Sequence, residues 1–235
     1  MSWSEVAVLV TLVVALGVWW LWVTASRLDR LHRKVAASRS VVEAQLLRRA
    51  SVAAGLATSG QLDPVSSVLV AEAAWASLSA GAAAADVASL PAGVRELLSA
   101  EEAAVATDVD ERGRVESELS ATLREALGDP EDVAALRADP TGDELLGSLG
   151  SAWYRVQLAR RFHNEAVAQT QRARRGRLVR LLRLAGHAPA PRTLELDDEW
   201  PAALGRPGAR ASDDAARPGP SARGTDAAGD ARRDG

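Results

Sequence analysis

The chain has 235 residues, 28 of them basic and 31 acidic, a formal net charge of -3 and no cysteine, which excludes disulfides and thiolate metal sites. One Phe and one Tyr stand against long Ala-rich stretches, a composition that points to small side chains between closely approaching helices and away from sheets. The near-balanced total hides a segregation: seven basic against two acidic residues from Arg27 to Arg49, five against sixteen from Asp86 to Glu144, and nine against one from Arg155 to Arg183.

Residues 6–25, VAVLVTLVVALGVWWLWVTA, form an uncharged apolar run. Twenty residues at about 1.5 Å rise cover about 30 Å, the hydrocarbon thickness of a bilayer. The five residues before the run carry no Lys or Arg, whereas Arg27, Arg30, Arg33 and Lys34 follow it. The positive-inside rule then predicts a single-pass plasma-membrane anchor, residues 1–5 outside and the rest in the cytoplasm. A cleaved signal peptide would need a basic start and a shorter apolar core. Trp3 at one end and Trp19, Trp20 and Trp22 at the other suit the two headgroup regions.

Leu28, Leu31, Val35, Val42 and Leu46 recur at helical spacings, so the anchor is expected to continue as one long helix to about Ala57, where Ser59-Gly60 ends it. Asp63-Pro64 reads as the start of a second helix through Val65, Val68, Glu72, Trp75 and Leu78. Pro91 breaks or bends the Ala-rich continuation. A third helical region, in two pieces around 108–111, carries Val94, Leu97, Leu98, Val115, Leu119, Leu123 and Leu127 and stops at Gly128-Asp129-Pro130. Pro140-Thr141-Gly142-Asp143 marks a further turn, and a fourth helix is expected from near Asp143 past Gln171, with Leu145, Leu149, Trp153, Val156, Phe162 and Val167 near one face. No strand pattern is read. Residues 205–235 contain only Gly, Pro, Ala, Arg, Asp, Ser and Thr, a composition that predicts a disordered tail. The fold expected is therefore all-α: one transmembrane helix, then an elongated antiparallel bundle of about four helices over 26–204.

Chemistry-bearing patterns are sparse. Glu43, Glu72 and Glu165 sit on predicted helices, but none is followed by His three residues on, and His32, His163 and His187 make no helical pair, so no metal is expected. No phosphate-cradling loop, dinucleotide fingerprint or nucleophile elbow occurs, and no cofactor or catalytic residue is assigned. The segment QRARRGRLVRLLRLAGHA places Arg172, Arg174, Arg175, Arg177, Arg180 and Arg183 among Leu and Val. On a helix this suits contact with an anionic membrane surface; the alternatives are leucines closing the bundle beneath solvated arginines, or nucleic acid, which is disfavoured for want of a recognition fold or a stacking aromatic.

Two stretches, AQLLRRASVAAGL at 44–56 and RVQLARRFHNEAV at 155–167, together resemble the LemA family. The resemblance rests on Leu46, Arg48, Arg49 and Leu56, and on Arg155, Val156, Leu158, Ala159, Arg160, Arg161, Asn164 and Val167. Ser51 stands where the family usually has Asp, Ala54 and Gly55 replace Pro-Asn, Trp153 replaces Glu, and His163 replaces Tyr, so the chain reads as a divergent member. The resemblance implies an anchored, elongated bundle of about four long helices facing the cytoplasm, with no shared enzymatic activity. The motif arginines are expected to pair with bundle carboxylates such as Glu43 and Glu165 and fix helix register, or else to form a partner-binding face. The functional expectation is a membrane-anchored scaffold or adaptor whose partners are the bilayer, an unidentified membrane or cytoplasmic protein, or a second copy meeting it through Ala-rich faces. A lipid or envelope-stress sensor using 172–184, and an unrecognised enzyme, are the alternatives.

Overall fold

A computed structural model describes residues 3–89, 109–176, 179, 180, 182 and 190–205. Expectations for Pro91, Val94, Leu97, Leu98, Arg177, Arg183 and the tail from 206 onward lie outside these residues. Among the described residues the protein is all-helical: α1 (Trp3–Thr58), α2 (Pro64–Ser89), α3 (Val109–Ala126), α4 (Pro130–Ala138), α5 (Pro140–Arg174) and a single 3-10 turn, Ala202–Leu204.

Helix α1 spans 56 residues without interruption, about 84 Å at the standard rise. Its first part is long and apolar enough to cross a membrane, and none of that stretch is buried within the protein. Burial begins at Leu28 and becomes regular from Val42 onward through Leu46, Arg49, Ala50, Ala53, Leu56 and Ala57. Gly60, at φ 75, makes the turn that ends the helix, a conformation that costs a side-chain-bearing residue more than glycine.

Three of the remaining helices start on one device. Asp63 Oδ1 accepts the amides of Val65 and Ser66 at 3.0 and 3.1 Å, Asp129 Oδ1 that of Glu131 at 2.8 Å, and Asp139 Oδ1 those of Thr141 and Gly142 at 2.9 and 3.0 Å. Each aspartate precedes a proline at the first helical position, where a missing N–H costs nothing. The segment between 130 and 140, read only as bounded by turns, is thus the short helix α4, and α5 begins at Pro140, ahead of the expected Asp143.

Helix α1 packs against α5 and α2, and α2 against α3. The main core joins Ala50, Ala53 and Leu56 of α1 to Val70, Ala73 and Ala74 of α2, Leu119, Leu123 and Leu127 near α3, Val133 and Leu136 of α4, and Leu146, Leu149 and Trp153 of α5. Alanines at the α1–α2 contact let the two backbones approach closely, which is where the Ala-rich composition acts. A second cluster joins Val42, Leu46, Val109, Val156 and Ala159 to Leu194 and Leu196. Between α1 and α5, Lys34 Nζ donates to Gln169 Oε1 at 3.3 Å, Ser38 Oγ meets His163 Nδ1 at 3.0 Å, and Leu145 lies beside Gly55.

One side chain departs from the expected face of α5. Phe162 is 64 % exposed, because the buried stripe of α5 passes instead through Val156, Ala159, His163, Ala166, Val167 and Thr170. Helix α2 is apolar around its whole circumference: Val70, Ala73 and Ala74 face the core, while Val65, Val68, Leu69 and Trp75 face out. Its Pro64–Ala83 stretch is also long and apolar enough to cross a membrane, and 28 % of it is buried in the protein.

Candidate functional site

The residues of the two sequence motifs separate into four environments. Leu46, Leu56 and Val167 are core residues. Arg48, Arg155 and Arg161 are exposed. Arg49 enters a buried charge network, and Arg160 and Asn164 hold a C-terminal segment.

Arg49 and Glu116 are both 0 % exposed and lie 2.7 Å apart, Nη2 to Oε2. The same nitrogen donates to the Glu116 carbonyl at 3.1 Å, and Nη1 to Ser120 Oγ at 2.9 Å. The other carboxylate oxygen of Glu116 accepts from Ser77 Oγ and lies 2.6 Å from Arg112 Nη1. Arg112 reaches onward to the Ser77 carbonyl at 2.9 Å and through Nε to Glu43 Oε2 at 3.1 Å. Glu43 is partly exposed and also lies 3.9 Å from Arg39. Two arginines and two glutamates therefore tie α1, α2 and α3 together, and the charges balance.

Burial pulls the Arg49 pKa below its ordinary value, and the Glu116 charge is the strongest opposing influence. Trp153 completes the cage: its ring lies under the Arg49 guanidinium at 5.0 Å, a favourable cation–π placement once water is excluded. Arg49 Nε and Arg112 Nη2 are buried without a hydrogen-bond partner. Chemically the arrangement is a lock. Glu116 accepts one donor on Oε2, from Arg49, and two on Oε1, from Ser77 and Arg112, and its side chain is 0 % exposed, so its carboxylate is turned inward to the lock. Among the described residues no three His, Cys, Asp or Glu side chains are grouped to hold a metal ion.

The second assembly is an extended segment over 190–201 laid across α3 and α5. Leu194 and Leu196 are buried while Glu195 and Asp197 are exposed, an alternation of period two. Its backbone forms no ladder; side chains satisfy it instead. Asn164 donates to the Leu194 carbonyl at 3.1 Å and accepts the Leu194 amide at 2.9 Å. Gln171 donates to the Pro191 carbonyl at 2.9 Å, Trp153 and Gln157 to the Asp198 carbonyl at 3.1 and 2.6 Å, and Ser117 Oγ accepts the Asp197 amide at 2.8 Å. Arg160 grips the Asp198 carboxylate with two parallel bonds of 3.0 and 2.9 Å, and Arg124 reaches Asp197 at 2.6 Å. Trp200 then tilts against Trp153, ring centroids 6.2 Å apart.

The expected pairing of the motif arginines with Glu43 and Glu165 is thus corrected. Glu43 belongs to Arg112, and Glu165 to Arg172 and Gln169 at 3.1 and 2.9 Å, while Arg49 and Arg160 take Glu116 and Asp198. Within the Arg-rich segment, α5 ends at Arg174, and Arg175 and Gly176 turn back onto the carbonyls of Gln171 and Ala173. Arg172, Arg175 and Arg180 are exposed, and Arg174 Nη1 lies 3.4 Å from His32 Nε2.

Sequence reasoning passed over Glu116, Arg112, Asp198 and Trp200. The alternation around Leu194 and Leu196, between Pro191 and Pro201, was a usable sign of the extended segment, and Glu116, three residues before Leu119 and seven before Leu123, stands on the leucine face of α3 where its neighbour Glu118 does not. Compared with known proteins, the chain matches no family model, no curated protein and no solved structure.

Proposed function

We propose that the protein is a single-pass membrane scaffold or adaptor of LemA-like type, its N-terminus outside and an antiparallel helical bundle in the cytoplasm. The observation that carries this reading is the continuity of α1: one unbroken helix begins in an exposed apolar stretch and ends as a core element of the helical body. The bundle reading draws on the α1–α5 pairs, where Lys34, Ser38 and Gly55 in rising order meet Gln169, His163 and Leu145 in falling order. Residues of both motifs go into locking that body rather than into an open cleft. The surface available to a protein partner is the outer side of α2 at Val68, Leu69 and Trp75, and of α5 at Tyr154, Leu158 and Phe162, apolar exposure of the kind that interaction sites carry.

The test is in-cell crosslinking of the full-length protein, mild extraction and mass spectrometry of what stays attached. A reproducible protein partner lost in Trp75→Ser or Phe162→Ser, with helicity unchanged, is the expected result. Recovery of self-crosslinks or lipid alone retires the adaptor role.

A further inference from the structure

A cavity of about 520 Å³ opens where α1 leaves its apolar stretch and the end of α5 comes alongside; Thr24, Arg27, Leu28, Leu31, Arg172 and Val179 are among its lining residues. We propose that it binds the phosphodiester headgroup of an anionic phospholipid from the cytoplasmic leaflet, with the acyl chains running back along the apolar face of α1. This inference rests on the membrane placement proposed above.

Depth is the first argument. Trp19, Trp20 and Trp22 are exposed at the end of the apolar run, and Thr24 Oγ1 bonds back to the Trp20 carbonyl at 2.9 Å. The cavity therefore begins about one helical turn, about 5 Å, beyond the tryptophans, at the level where lipid phosphates lie when such rings sit in the interface.

The second argument is chemical. Two guanidinium groups from different elements line one cavity, and no acidic side chain among the described residues lines it. Arg27 makes no ion pair among the described residues, and Arg172 meets Glu165 only on the exposed surface, with both side chains more than half exposed. Arg172 also stands in the last turn of α5. The carbonyl end of that helix favours the guanidinium there and does not itself attract an anion, so the two arginines are the elements that would recognise a phosphate. Leu28, Leu31 and Val179 give the site an apolar wall that a free anion would not use but a glycerol backbone would. The volume falls in the range of small-molecule sites.

The experiment uses the full-length protein in nanodiscs containing phosphatidylcholine and phosphatidylglycerol, with co-purified lipid counted by native mass spectrometry. Phosphatidylglycerol should be retained over phosphatidylcholine, and Arg27→Gln with Arg172→Gln should cut that preference about fivefold for each arginine removed, with helicity unchanged. Arg48→Gln with Arg155→Gln, exposed arginines elsewhere, should leave it intact, and millimolar inorganic phosphate should not displace the lipid. Equal retention of the two lipids, an undiminished preference in the Arg27/Arg172 variant, or displacement by phosphate overturns the lipid site. Alkaline washing of membranes separates the two levels of failure. A chain released by the wash overturns the anchor and the lipid site together, whereas a chain that resists it without lipid preference overturns the lipid site alone.

Discussion

Arg49 and Glu116 show why a buried ion pair is read from what its removal exposes. Their mutual attraction offsets the loss of hydration for both, so the pair itself contributes little net stability. Removing Glu116 alone leaves two buried guanidiniums, Arg49 and Arg112, without their shared carboxylate. Glu116→Ala should therefore cost about 3–5 kcal/mol, measured by chemical denaturation of the purified protein, whereas Arg49→Met combined with Glu116→Leu should cost much less. A double variant as unstable as the single one would contradict this account. His163 is a second residue whose environment sets a measurable response. It is 3 % exposed beside Ser38, and burial first, then the Arg39 charge, hold its pKa below the ordinary 6.5. The unfolded chain thus takes up a proton at higher pH than the folded one. The histidine's contribution is complete above about pH 6.5 and is lost as pH falls toward the lower folded value. The melting temperature should drop as pH falls below about 6.5, and His163→Gln should flatten that drop.

Among the elements, the extended segment over 190–201 depends most on single positions. Gly113 sits within α3 directly under the Glu195 carbonyl, and a Cβ there would collide with that backbone oxygen. Helix propensity alone makes Gly113→Ala stabilising by about 1 kcal/mol. The collision predicts the opposite sign, with faster amide hydrogen exchange at Leu194 and Leu196 because the segment is pushed off. Asn164→Ala should speed exchange at the Leu194 amide, whose acceptor it removes, while exchange in the middle of α1 stays slow. What the sequence made legible follows the same division. The starts and stops at Ser59-Gly60, Asp63-Pro64 and Gly128-Asp129-Pro130 could be read because each is local chemistry, a side chain satisfying amides two or three residues on. The face of α5 was read correctly at Trp153 and Val156 and wrongly at Phe162, because three-and-a-half-residue spacing drifts along a 35-residue helix and small residues such as Ala159 and Ala166 carry the stripe forward. The docking of the extended segment and the partner of Arg49 were not legible. Their bonds join positions about 30 to 80 residues apart, and a side chain that completes another segment's backbone leaves no period in its own.

For the whole molecule, the distance from the apolar stretch to the far turn is set by one helix. From Ala25 to Thr58 the axis advances about 50 Å, and α1 has no break over that interval. The chain contains no native cysteine, so Thr58→Cys on the exposed end of α1 provides a unique labelling position. In the proposed placement, fluorescence transfer from headgroup-labelled lipid should put that label roughly 50 Å from the bilayer surface, less the effect of tilt. A label lying at the surface would mean that the body folds down onto the membrane. In that proposed placement, the continuity of α1 would also make it a lever. A bilayer that thins or thickens changes the lean of a membrane-spanning helix, and a rigid arm of about 50 Å converts about 10° of lean into about 9 Å of sideways travel at its tip. The outward faces of α2 and α5 would be carried along that arc, so a partner bridging two such tips would feel the thickness of the membrane as a change in reach.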